Sequence, residues 1–278
     1  MSLPGLGNAG AATAAVGGAR IYCEARGTGP SVLLLHGGMV NSDAWDAQMD
    51  ALAEEYRVIR IDMPGYARST APDSEFAYHE LVHGFIEWAG IRPTAVVALS
   101  FSAAVSLDLA LTHPGDVSAL VLAGPALGGF ALPAPPDWYR TGMADAERRK
   151  DIDAGVEMTL RLWTDGPQRR PDEVDHRVRQ EVRRMTKINF LNPDPDERAR
   201  DATPAAAGRL PEIRVPTLII HGEKDVEGIR AAGERIFHGV KGARREVIRG
   251  AAHHMNMEKP EEFNRQVLDF LKESIPTP

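Results

Sequence analysis

The chain has 278 residues, 43% of them hydrophobic, which is enough to bury a sizeable core in one domain that carries an insertion. A formal net charge of -7 without a basic stripe argues against nucleic acid and anionic membrane surfaces as partners and leaves a small-molecule ligand, with oligomeric state open. Cys23 is the only cysteine, so no intramolecular disulfide can form and a reducing, cytoplasmic setting is expected; no apolar run approaches the roughly 18 residues of a membrane span.

Met1 to Gly18 is rich in Gly and Ala, has no basic residue before Arg20 and does not read as a signal peptide. Within it, Gly5-Leu6-Gly7-Asn8-Ala9-Gly10 matches GxGxxG, but no strand precedes it, as a dinucleotide site requires. Ala19 to Glu24 reads as the return strand of a hairpin. A turn at Gly27-Thr28-Gly29-Pro30 then leads into the apolar strand Val32 to Leu35.

From there the pattern alternates. Helical spacing over Asp43 to Tyr56 is followed by a strand, Arg57 to Asp62, and a second helix over Tyr78 to Ala89. Thr94 to Leu99 is a largely apolar strand, Phe101 to Leu111 a helix and Ala119 to Ala123 a strand. After a long gap come Thr217 to Ile220, Glu227 to Phe237, Glu246 to Ile248 and Glu261 to Leu271. This alternation predicts an α/β fold, a mostly parallel doubly wound sheet covered on both faces.

The gap, Leu127 to Pro211, divides the core into 1–126 and 212–278 and carries two amphipathic patterns. Ile152, Val156, Leu160 and Trp163 share one face in the first; Val174, Val178, Val182, Met185 and Ile188 do so in the second. An insertion following a strand at the catalytic edge is expected to form a helical lid, 127–211. Its Trp138, Trp163, Met185 and Phe190, with Met39 and His254 from the core, are the candidate substrate-binding residues.

Three short segments carry the chemistry. Ser100 lies in Ala98-Leu99-Ser100-Phe101-Ser102, Asp225 in His221-Gly222-Glu223-Lys224-Asp225, and His253 in Gly250-Ala251-Ala252-His253-His254. Each follows a predicted strand, which places a nucleophile, an acid and a base at the carboxyl edge of one sheet. A serine hydroxyl needs a neighbouring base and a third group to orient that base. The strand-to-helix turn would also aim the Phe101 N–H at a reacting carbonyl, and Gly38 in His36-Gly37-Gly38 offers a second oxyanion donor. Ser102 and His254 are local rivals of Ser100 and His253, and Glu223 is a rival of Asp225. His79-Glu80-Leu81-Val82-His83 matches HExxH, but no third ligand is evident and it lies on a sheet-covering helix; no metal or organic cofactor is expected.

These motifs resemble those of a lidded serine hydrolase of the α/β-hydrolase superfamily. The similarity runs from about Ala19 to Leu271 and also draws on Asp62-Met63-Pro64-Gly65-Tyr66-Ala67-Arg68-Ser69, His113-Pro114 and Pro260-Glu261-Glu262-Phe263. It implies Ser100 as nucleophile, Asp225 as acid and His253 as base, cleaving a small apolar carboxylic ester or lactone through an acyl-enzyme. A carbon–carbon bond hydrolase or another triad-dependent reaction is the first alternative, and a ligand-sensing receptor or catalytically silent binder the second. The elbow departs from Gly-x-Ser-x-Gly, with Ala98 and Ser102 at the glycine positions. A serine two residues after the nucleophile also resembles the branch containing plant strigolactone and karrikin receptors.

Overall fold

The computed structural model describes residues 9–192 and 197–275; most of the GxGxxG match, residues 5–8, lies outside the described residues. Eight strands form one sheet in the order β1-β2-β4-β3-β5-β6-β7-β8. β1 (Gly10–Val16) and β2 (Ala19–Arg26) form the expected hairpin, and β2 pairs antiparallel with β4 (Arg57–Ile61). From there β3 (Ser31–Leu35), β5 (Thr94–Leu99), β6 (Val117–Ala123), β7 (Thr217–Gly222) and β8 (Arg244–Ile248) continue in parallel.

The central strands β3, β5 and β6 are apolar runs because both faces of the sheet are covered there, whereas the edge strand β8 is exposed at all but Ile248. Leu33, Leu35, Val96, Ala98, Leu120 and Leu122 point to one face, beneath α2 (Tyr78–Ala89), α3 (Phe101–Thr112) and α7 (Glu227–Gly239). Their neighbours Val32, Leu34, Val97, Leu99, Val121 and Ala123 point to the other, with α1 (Asp46–Leu52) and α9 (Pro260–Ser274). This two-residue alternation gives β3, β5 and β6 a core on each side.

Among the described residues between β6 and β7 the chain forms three α-helices, one more than the two amphipathic patterns: α4 (Asp137–Arg149), α5 (Ile152–Thr159) and α6 (His176–Leu191). α4 buries only Ala146, so it offers no apolar stripe to read. α5 runs directly into a π-helical turn, Leu160–Thr164. Val174 lies ahead of α6, which begins after Asp175 accepts a hydrogen bond from the Arg177 N–H at 2.7 Å. Arg179 ties the insertion together, bonding Glu157 at 2.8 Å and Asp165 at 2.7 Å. No helix among the described residues is long and apolar enough to cross a membrane.

The insertion is fastened to loops at the carboxyl edge of the sheet. Thr186 and Asn189 of α6 donate to the Met39 and Val40 carbonyls at 3.0 Å each. Arg184 pairs with Asp43 at 3.0 Å. On the far side, Arg169 reaches the Gly250 carbonyl and Glu258, each at 2.7 Å.

Candidate active site

Ser100 occupies the turn between β5 and α3 with φ 59° and ψ -119°, a conformation that costs a non-glycine residue about 1–3 kcal/mol. Backbone bonds on both sides hold it there. Its N–H donates to the Ala123 carbonyl at 2.9 Å, and its own carbonyl accepts from Ala103 at 3.0 Å and Ala126 at 3.1 Å. The strained turn is thus set by β6 and by the first turn of α3, and it leaves the serine half-buried at the sheet edge.

Asp225 and His253 come from the loops after β7 and β8. His253 Nδ1 lies 2.9 Å from Asp225 Oδ2, and the two side chains are 4% and 0% exposed. The other carboxylate oxygen accepts the Val226 N–H at 2.7 Å, fixing the acid from its own loop. With Nδ1–H donated to a carboxylate, Nε2 is the nitrogen left to accept a proton. Glu223, the rival acid, instead accepts the Gly250 N–H at 2.9 Å and braces the same pair of loops. Gly222 has no side chain because the backbone of the β8 loop crosses it: a Cβ there would stand 2.2 Å from the Ala252 carbonyl oxygen.

The loop after β3 is held by His36, which is fully buried. Its Nε2 accepts the Met63 N–H at 2.8 Å, so Nδ1 carries the hydrogen and donates to the Gly37 carbonyl at 2.8 Å. Burial keeps this imidazole neutral, lowering its pKa against the pull of Asp62. Asp62 in turn accepts from Ser42 and from Arg68 at 2.6 Å each. Burial alone would raise its pKa, but the hydrogen bonds from Arg68 and Ser42 and the Arg68 charge outweigh it and hold the carboxyl below its ordinary range. The knot anchors the turn carrying Tyr66, whose ring lies 5.8 Å from Phe101 and edge-on to His36 at 5.3 Å. Gly38 and Phe101 thus lie in one neighbourhood, 4.0 Å from a Cβ built at Gly38 to the Phe101 ring.

Ser102 is fully buried, and its hydroxyl donates to the His36 carbonyl at 2.5 Å, which occupies it with structure. His254 does not face solvent: it is 2% exposed, its Nδ1 lies 3.2 Å from the Thr164 hydroxyl, and burial, with His253 beside it, pushes its pKa down to about 3. Of the candidate pocket residues, Trp163 meets the site directly. Its ring centroid is 4.8 Å from that of His253, and its carbonyl accepts the His253 N–H at 3.1 Å. The π-helical turn delivers both contacts, a feature that apolar periodicity does not reveal.

The remaining candidates divide. Met39 is exposed beside Gly38. Met185 is fully buried, in one apolar cluster with Val156, Leu160 and Val182. Phe190 borders a space of about 370 Å³ among α4, α5 and α6, and Trp138 lies under the Arg161 guanidinium at 4.8 Å. Both contacts are internal to the insertion. Gly124 sits at the end of β6 with φ 47°, directly against the Asp225–His253 pair, a role that its place after a strand does not reveal.

The HExxH segment lies on α2, and the fold brings His113 and Asp116 beside its second histidine. His83 Nδ1 is 2.6 Å from Asp116 Oδ2, but the His83 and His113 rings stack at 3.7 Å and 2°. Ligation requires an ion in the plane of each imidazole, and two stacked planes share no such point.

A family model described as "Alpha/beta hydrolase family" matches residues 32–266. The chain is similar to a 2-hydroxy-6-oxononadienedioate/2-hydroxy-6-oxononatrienedioate hydrolase of Cupriavidus pinatubonensis, at 26% identity over 91% of this chain and 90% of that protein. In fold it is similar to an enol-lactonase from Burkholderia xenovorans, with a TM-score of 0.78 and 24% identity over 94% of this chain and 100% of the other. It is also similar to the carboxylesterase CesB of Bacillus subtilis, with a TM-score of 0.78 and 21% identity over 96% of this chain and 93% of that one.

Proposed function

The chain belongs to the alpha/beta hydrolase family, and from that premise we propose that it is a serine hydrolase cleaving a small carboxylic ester or lactone through an acyl-enzyme on Ser100. The observation that carries this reading is the buried 2.9 Å contact between Asp225 and His253 at the sheet edge where the Ser100 elbow stands. In the reaction, Ser100 Oγ attacks the carbonyl carbon while His253 Nε2 takes its proton. The oxyanion is met by the Gly38 and Phe101 N–H groups, each such donor being worth on the order of a hundredfold in rate. His253 then returns the proton to the leaving group, and water, activated by the same imidazole, hydrolyses the acyl-enzyme. The helical insertion, fastened to the Met39 and Gly250 loops, serves as the lid.

Similarity to a hydrolase named for 2-hydroxy-6-oxononadienedioate supports a second reading, carbon–carbon bond hydrolysis with the same triad. A fluorophosphonate probe, followed by a panel of esters, lactones and vinylogous diketones, separates the two. Ser100→Ala should abolish labelling and lower kcat by several orders of magnitude, up to about a millionfold, with folding retained. Full turnover by Ser100→Ala refutes the serine mechanism. Labelling with diketone turnover only assigns the carbon–carbon chemistry, and tight ligand binding without turnover assigns a receptor.

A further inference from the structure

A cavity of about 720 Å³ opens beside the elbow. Phe101, the residue after Ser100, forms part of its wall, as does Ala126, whose N–H bonds the Ser100 carbonyl. From Phe101 the wall continues along one face of α3 through Ala104 and Val105 to Asp108. Seven residues of helix separate the ends, a rise of about 10 Å. The wall thus runs from the residue that follows the proposed nucleophile to a carboxylate.

Its chemistry is that of a cation site. Tyr78 and Phe101 present aromatic surface, packed edge to face at 5.0 Å, and Asp201 stands on the opposing segment. Burial pushes the Asp108 carboxyl up to about 6, with Asp201 adding to the rise and Arg209 opposing it. Arg200 also lines the space but pairs with Glu75, and Arg209, whose charge reaches Asp108, pairs with Glu212 at 2.8 Å. Burial lowers the pKa of His79, which also lines the space, so it adds little positive charge near neutral pH. A carboxylate arm would meet Asp108 and Asp201 as like charges, whereas an ammonium would meet two carboxylates and aromatic faces.

We propose that Asp108 and Asp201 make this cavity the subsite for a substrate arm ending in an ammonium group, entered past Phe101. The proposal rests on the serine-hydrolase reading and adds a substrate class to it. It separates this chain from the dioate named for its relative.

The test is a matched pair of 4-nitrophenyl esters, 6-(trimethylammonio)hexanoate and its neutral isostere 7,7-dimethyloctanoate, with 4-nitrophenyl acetate reporting the triad. The wild type should favour the cationic ester by roughly tenfold or more in kcat/KM, and added salt should reduce that ratio. Asp108→Asn should collapse the ratio toward one; should that variant fail to fold, the exposed Asp201→Asn should still lower it. Acetate hydrolysis without a cationic preference overturns the subsite and leaves the hydrolase reading standing. If no ester is cleaved, the hydrolase reading fails, and calorimetry with hexyltrimethylammonium ion decides the subsite. Binding weakened by Asp108→Asn supports it, and equal or absent binding refutes it.

Discussion

Gly124→Ala tests the Asp225–His253 pair without removing either member. A Cβ at this position would stand 3.0 Å from His253 Nδ1 and 3.1 Å from Asp225 Oδ2, closer than side-chain carbons ordinarily approach such atoms. Relief requires the imidazole or the carboxylate to retreat by a few tenths of an ångström. A displacement of about 1 Å at a reacting group can cost on the order of a hundredfold, so a shift of half that should cost roughly tenfold in kcat if the loss scales with distance. The φ of 47° adds about 1 kcal/mol of backbone strain, equivalent to a melting temperature lower by roughly 2–4 °C. Gly242 is the matched control: its φ is 78°, and nothing lies within 4 Å of its added Cβ. Gly242→Ala should therefore show a similar thermal cost with full turnover. Ester hydrolysis under saturating substrate, measured beside thermal unfolding, distinguishes the two. Equal activity of both variants would mean that the Asp225–His253 geometry does not govern the rate.

Trp163→Ala should lower kcat by about tenfold through loss of the ring against His253, with Trp163→Phe restoring most of it. Equal rates for both variants, at equal thermal stability, would leave the ring without a positioning role. His254 is neutral in the fold and protonates on unfolding, so between its unfolded pKa of about 6.5 and its folded value of about 3 the unfolded chain binds the extra proton and stability falls with falling pH. At pH 5 this amounts to about 2 kcal/mol, which His254→Asn should remove from the difference between urea unfolding at pH 7.5 and pH 5; an unchanged difference would refute the buried neutral imidazole. Asp108, raised to about 6, should make the cationic-over-neutral ester preference fall away below that pH as its carboxylate is protonated.

The fold was legible because its central strands are buried on both faces. Val32 to Leu35 and Thr94 to Leu99 are apolar at every position or nearly so. The helices over Tyr78–Ala89 and Phe101–Thr112 follow the same logic, with Gly90 in left-handed conformation and His113-Pro114 as stops. The insertion was less legible for a physical reason. α4 hides one alanine, and α5 changes pitch at Leu160, so the face that Ile152, Val156, Leu160 and Trp163 define is carried onward by a π-helical turn. Apolar spacing marked Met185 as well as Trp163, but it does not distinguish a residue that closes a helix pair from one that reaches a neighbouring loop. That distinction depends on where the insertion lands, and the landing is made by polar contacts at Thr186, Asn189 and Arg169.

At the elbow, the departure from glycine has a structural consequence that spacing alone did not reveal. Ala98 fits because it is wholly enclosed in β5 between Leu35 and Leu122, where a methyl adds buried apolar surface without reaching the turn. Ser102 adds a hydroxyl in a fully buried position, and such a group is costly unless it is bonded. Its partner is the carbonyl of His36, the residue whose ring holds Gly37 from one nitrogen and Met63 from the other. The first turn of α3 is thereby tied to the loop after β3, the two segments proposed to supply the oxyanion donors. A glycine at 102 would leave that carbonyl without its hydroxyl donor. The substitution therefore does not loosen the elbow, because it exchanges close helix–strand packing for a hydrogen bond between the two halves of the proposed oxyanion hole.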